Sequence, residues 1–240
     1  MEWTDWIEQL NEQDRLNGTH WFWMTLTPTT TVYNDVVPWT ERNLDDARLP
    51  DHDYIQKTTP VTARLVRDAL YETLDQIDPQ FNRNHPRRTA AHARLAVILV
   101  PALKVRDGGR GRLIRVLHYH GWIVLPKLVR ATTDDPREYA TKTLIVRRDE
   151  TPTKLYAPEP VALLANRLMD RCGSNLNVTS PDSDELLRTH ALYATRGMTH
   201  DTDGIATRIS HETNFPEQTI LLPKAWWKPN LERIVQASVA

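Results

Sequence analysis

Two β-prone runs, Arg94–Val105 and Leu113–Leu125, flank Asp107-Gly-Gly-Arg-Gly111, and this arrangement constrains the fold more than any other stretch of the chain. A glycine-rich turn between bulky, β-branched runs predicts an antiparallel hairpin. The second run, Leu113-Ile-Arg-Val-Leu-His-Tyr-His-Gly-Trp-Ile-Val-Leu-Pro126, carries His118 and His120 two positions apart. Alternate strand residues share a face, so both imidazoles project the same way. Two neutral imidazoles on one face can approach a single divalent metal.

The other elements are read around that hairpin. Trp21–Thr27 is a buried strand ended by Pro28, and Thr29–Asp53 reads as a long loop. Thr59-Pro60 supplies an N-cap and a first-turn proline for a helix with Val66, Leu70, Leu74 and Ile77 on one stripe, ending near Pro79. Residues 127–157 look like an insertion, with Lys142–Arg147 a candidate strand. Pro160 opens a helix presenting Val161, Leu164, Leu168 and Cys172, with Gly173 as its C′ residue. Asn175–Thr179 is a short strand, and Asp182 or Ser183 caps a last helix that runs to Arg196 and stops at Gly197. The expected fold is α+β: an antiparallel central sheet that carries the histidine strand and is covered on one side by helices. A single domain over 1–240 is expected, with its core at about 20–200 and a C-terminal tail at 201–240.

The single cysteine, Cys172, allows no intrachain disulfide, which points to a reducing, cytoplasmic setting. No apolar run approaches the roughly 18 residues of a membrane span, and the acidic N-terminus lacks a signal-peptide pattern. Net charge is −1, but its distribution is uneven. Residues 1–56 hold eleven Asp/Glu against three Arg, whereas 81–130 hold eleven Lys/Arg against Asp107 alone. The basic segment contains the histidine pair and suits a phosphate backbone. A solvated face balanced by the acidic region is the alternative.

Three motifs in order now resemble the HUH endonuclease family, in particular the rolling-circle replication initiators of plasmids and single-stranded DNA phages and viruses. The strand ending in threonine is matched by Trp23-Met-Thr-Leu-Thr-Pro28, and the His-hydrophobic-His strand by His118-Tyr-His120-Gly-Trp-Ile. The Tyr-x-x-Lys helix is matched by Tyr193-Ala-Thr-Arg196, with Arg for Lys. The resemblance implies single-strand nicking and joining through a 5′-phosphotyrosine, with Tyr193 and Arg196 catalytic and His118 and His120 holding Mn²⁺ or Mg²⁺. It implies single-stranded DNA or an origin hairpin as partner, with a host helicase as a further one and no membrane. A related transposase or relaxase, or a catalytically inactive DNA-binding module of the same fold, is the alternative.

Tyr54-Ile-Gln-Lys57 and Tyr139-Ala-Thr-Lys142 carry the same short pattern. Tyr54 precedes the histidines, against the order the resemblance implies, and Tyr139 follows His120 by nineteen residues, too few for the strand and helix that family places between them. Tyr193 is favoured on that ground, with Tyr139 the remaining alternative. His190 and Arg196 flank Tyr193 at i−3 and i+3 and share its side of a helix. An arginine there can fork onto a phosphate but cannot shuttle a proton. The family's third metal ligand stays unassigned, since Ile98–Ala102 opposite the histidines is apolar, and His92 and Asp107 are poorly placed. Trp21, Trp23 and Trp122 are read as core or as stacking platforms for unpaired bases.

Overall fold

The computed structural model describes residues 9, 20–28, 41–43, 51–77, 95–107, 113–125, 141–145, 154–179, 184–196 and 212–228. Its elements run β1 (His20–Pro28), β2 (Glu41–Asn43), α1 (Asp51–Ile77), β3 (Ala96–Asp107), β4 (Leu113–Leu125), β5 (Thr141–Ile145), β6 (Lys154–Pro158), α2 (Glu159–Arg171), β7 (Gly173–Thr179), α3 (Asp184–Arg196), β8 (Glu212–Asn214) and β9 (Ile220–Leu222). The fold is α+β, and every pairing in its seven-stranded sheet is antiparallel.

The hairpin predicted from its turn is the middle of that sheet. β3 and β4 pair without a break from Ala96↔Val124 to Asp107↔Leu113. β1 pairs with the second half of β4, β2 with its first half, and β7 closes the sheet beyond β1. On the far side of β3, β9 pairs with Val97–Leu99 and β8 with Ala102–Lys104. The gap between those two short strands falls at Pro101, which has no N–H to give a ladder; its carbonyl accepts the Phe215 N–H at 2.9 Å. The expected C-terminal tail thus supplies two strands of the sheet. β5 and β6, inside the expected insertion, form a separate two-stranded sheet.

Alternation sorts the core into two layers. Phe22, Met24 and Leu26 of β1, Leu117, Tyr119 and Ile123 of β4, and Leu176 and Val178 of β7 meet Val66, Leu70 and Leu74 of α1 and Leu164 and Leu168 of α2. The opposite face carries Trp21, Trp23, Ile98, Val100, Trp122 and Val124, packed on Ala191 and Ala194 of α3 and on Trp227. Helices therefore cover both faces, not the single face expected. The sequence carries the reason: Ala96–Leu103 is apolar at every position, as a strand buried on both sides must be.

α1 also departs from expectation, beginning at Asp51 with Pro60 inside it. An internal proline costs about 3 kcal/mol. Extending the helix upstream buries Tyr54 and Ile55 completely, and each such side chain contributes roughly 1.5–3 kcal/mol. Thr58 Oγ1 also donates to the Tyr54 carbonyl at 2.9 Å beside the proline. Burial outweighs the local penalty. Gly173 follows the end of α2 as expected and also opens β7, and a Cβ there would lie 2.8 Å from Met169 Sδ. Cys172 ends the α2 hydrogen bonding through its N–H to Leu168 O at 3.0 Å. Burial pushes its thiol up to about 12, so it stays protonated inside the core.

Candidate metal and tyrosine site

β4 sets the site by its register. His120 lies between Thr25 of β1 and Val100 of β3, and His118 lies beside Ala102. Both rings are buried, at 6% and 4% exposure, on the face that α3 covers. Their Nε2 atoms converge to 2.8 Å, with the rings nearly perpendicular.

The other nitrogens are occupied. His118 Nδ1 lies 3.3 Å from the Val116 carbonyl, which can only accept, so Nδ1 carries the hydrogen and Nε2 a lone pair. His120 Nδ1 meets Thr25 Oγ1 at 3.4 Å. Such outer hydrogen bonds orient metal-binding imidazoles and fix their tautomers. At 2.8 Å the two Nε2 atoms share a hydrogen, which a bound cation would replace when both turn lone pairs to it. Two ligands at about 2.0–2.1 Å from one ion and at right angles would be roughly 3 Å apart, so the pair fits a divalent metal. Among the described residues no third His, Cys, Asp or Glu joins it. Asp107 pairs with Leu113 at the turn end of the hairpin, away from the histidines, and His92 lies outside the described residues.

α3 delivers the phenol. Its buried positions Ala191 and Ala194 are small, and they pack in one cluster with Trp23 and Trp122. Tyr193 sits partly buried on that face, its ring centroid 4.6 Å from that of His120 at 72°. One turn earlier, His190 stacks on Trp23 at 4.3 Å and 14°. Trp23 in turn lies parallel to His120 at 5.5 Å. His118, His120 and Tyr193 are thus brought together, and Trp23 and His190 form the wall behind them. Burial pulls the His190 imidazole below its ordinary value, which favours the neutral ring.

Comparison of the chain with protein-family models, with curated proteins and with solved structures finds no match.

The other sequence candidates separate cleanly. Tyr54 is fully buried under the opposite face of the sheet. Tyr139 lies outside the described residues. Arg196 is the last residue of α3, and its side chain lies outside the described residues. Among the lysines and arginines of the basic segment only the Lys104 side chain is described, and it is exposed. Trp21, Trp23 and Trp122 are buried in the core, with Trp21 and Trp23 each in edge contact with Trp122. No helix among the described residues is long and apolar enough to cross a membrane.

Proposed function

We propose that this chain is a metal-dependent endonuclease of the HUH type that nicks and rejoins single-stranded DNA, as rolling-circle replication initiators do. The observation that carries the reading is the approach of Tyr193 to His120 at 4.6 Å between rings, beside two Nε2 atoms 2.8 Å apart. The ring of a tyrosine on a late helix thus packs against the paired imidazoles of the central hairpin.

His118 and His120 would hold Mn²⁺ or Mg²⁺, and imidazole ligation favours Mn²⁺. Bound there, the ion supplies Lewis-acid polarisation of a non-bridging phosphate oxygen. The Tyr193 phenol, with an ordinary pKa of about 10, is a weak nucleophile at neutral pH until its proton is removed. Its oxygen forms a bond to phosphorus as the bond from phosphorus to the 3′ oxygen breaks. The phenolic proton passes to solvent, and the departing oxygen takes one up as a 3′-hydroxyl. The phosphodiester energy is retained in the 5′-phosphotyrosine, which allows rejoining. Arg196, one turn after Tyr193, is the residue to hold the phosphate and takes no part in proton transfer.

A catalytically inactive DNA-binding module is the second reading, favoured by the apolar Val100 and Ala102 beside the histidines. Covalent trapping decides between them. The chain is incubated with labelled single-stranded DNA and Mn²⁺, and an SDS-resistant adduct is sought. The adduct should vanish in Tyr193→Phe and persist in Tyr139→Phe. Binding without any adduct would establish the inactive module, and loss only in Tyr139→Phe would transfer the nucleophile there.

A further inference from the structure

Resting on the reading of Tyr193 as the nucleophile, we infer that Asn214 is the residue that positions this tyrosine against the histidine pair. The two halves of the site sit on different elements, and α3 makes no ladder with the sheet. Something must fix its slide along the face. The last four carbonyls of a helix have no intrahelical donor, and in α3 these include those of Tyr193 and Ala194. Asn214 Nδ2 donates to both, at 2.5 and 2.7 Å. Two carbonyl acceptors identify the donating atom as the amide nitrogen.

The anchor of that amide is the same ladder that sets the histidines. Asn214 pairs with Ala102 of β3, and Ala102 pairs with His118 of β4. The next residue, Phe215, is tied to Pro101 O at 2.9 Å and is itself buried. A path of two strand pairings and one bifurcated side-chain bond therefore joins the candidate metal ligand to the backbone of the candidate nucleophile. Asn214 Oδ1 is buried without a partner among the described residues, so the hydrogen bonds of this carboxamide go to α3. Attack on phosphorus requires an approach within a few tenths of an ångström, and a misplacement of about 1 Å can cost on the order of 100-fold in rate. Asn214 touches neither DNA nor metal in this scheme; it sets a distance.

The test uses the full chain with 3-fluorotyrosine at position 193. The fluorine resonance of the metal-free protein reports ring currents from Trp23 and His120, and Asn214→Ala should move it toward the free-tyrosine position. With Mn²⁺ and saturating single-stranded DNA, the single-turnover rate of adduct formation should fall at least tenfold while DNA affinity stays within twofold. Asn214→Ser, which keeps one donor, should lie between, and it serves if the alanine variant does not fold. An unchanged resonance overturns the inference, whatever the rate does, and so does a shifted resonance with a rate within twofold. If the resonance moves and the wild-type chain forms no adduct, the positioning role stands and the nuclease reading falls.

Discussion

Tyr119 donates its phenolic hydrogen to Thr62 Oγ1 at 3.0 Å, tying the strand that bears both histidines to the helix on the opposite face. Both residues belong to the buried layer, and Thr62 also reaches the Thr58 carbonyl at 3.4 Å. Tyr119→Phe should lower stability by about 1 kcal/mol in urea denaturation, the usual net value of such a bond. Adding Thr62→Val to Tyr119→Phe should cost clearly less than Thr62→Val alone. Strict additivity would mean that the two hydroxyls do not interact.

Gly121 occupies a position where a Cβ would sit 1.8 Å from the Ile98 carbonyl oxygen and 2.7 Å from its carbon. The obstacle is main chain of the paired strand, so no rotamer change can relieve it. Gly121→Ala should destabilise by roughly 3 kcal/mol or more, at or above the upper end of ordinary overpacking. Because the shift falls next to His120, metal binding should weaken in the same variant. A melting temperature equal to that of the wild type would contradict the close approach.

Mn²⁺ should raise the thermal midpoint of the wild-type chain, and EDTA should reverse the rise. At 100 times the dissociation constant the added stability is about 2.7 kcal/mol. His118→Ala and His120→Ala should each abolish most of the shift, whereas Tyr193→Phe should leave it in place. Equal Mn²⁺ stabilisation of all three variants would locate the ion elsewhere.

His190 gives the fold an acid sensitivity of defined sign. Burial holds its folded-state value below the ordinary 6.5, so below that pH the unfolded chain binds more protons than the native one. Stability from this group is present above pH 6.5 and is lost as pH falls through 6.5 toward the lower folded value. His190→Phe keeps an aromatic ring against Trp23 and removes the titration. Its denaturation midpoint should decline less between pH 7.5 and 5.5 than that of the wild type; an equal decline would remove His190 as the source.

The hairpin and the shared face of the two histidines were legible because both rest on local rules, a glycine-rich turn and a period of two. The start of α1 was not, since Pro60 satisfies every local test for a first-turn residue and only the burial of Tyr54 and Ile55 carries the helix past it. Helix cover on both faces was written in the unbroken apolar run of β3 and could have been read there. β8 and β9 are three residues each, too short to carry a pattern, and exist because β3 offers them an edge. Asn214 left no signal at all: one asparagine in the expected tail, given its place by a pairing far away in the chain. Tyr193 was favoured over Tyr139 by order along the sequence, while its nearness to His120 is a fact of packing.

β8 and β9 lie more than a hundred positions after the strand they complete. During synthesis, then, the apolar flank of β3 waits for residues 212–222 to leave the ribosome before it is sealed. A nascent chain halted before that point would hold the histidines and the tyrosine yet leave a sticky strand margin open to its neighbours. The cover of that margin should arrive only with the translation of residues 212–222.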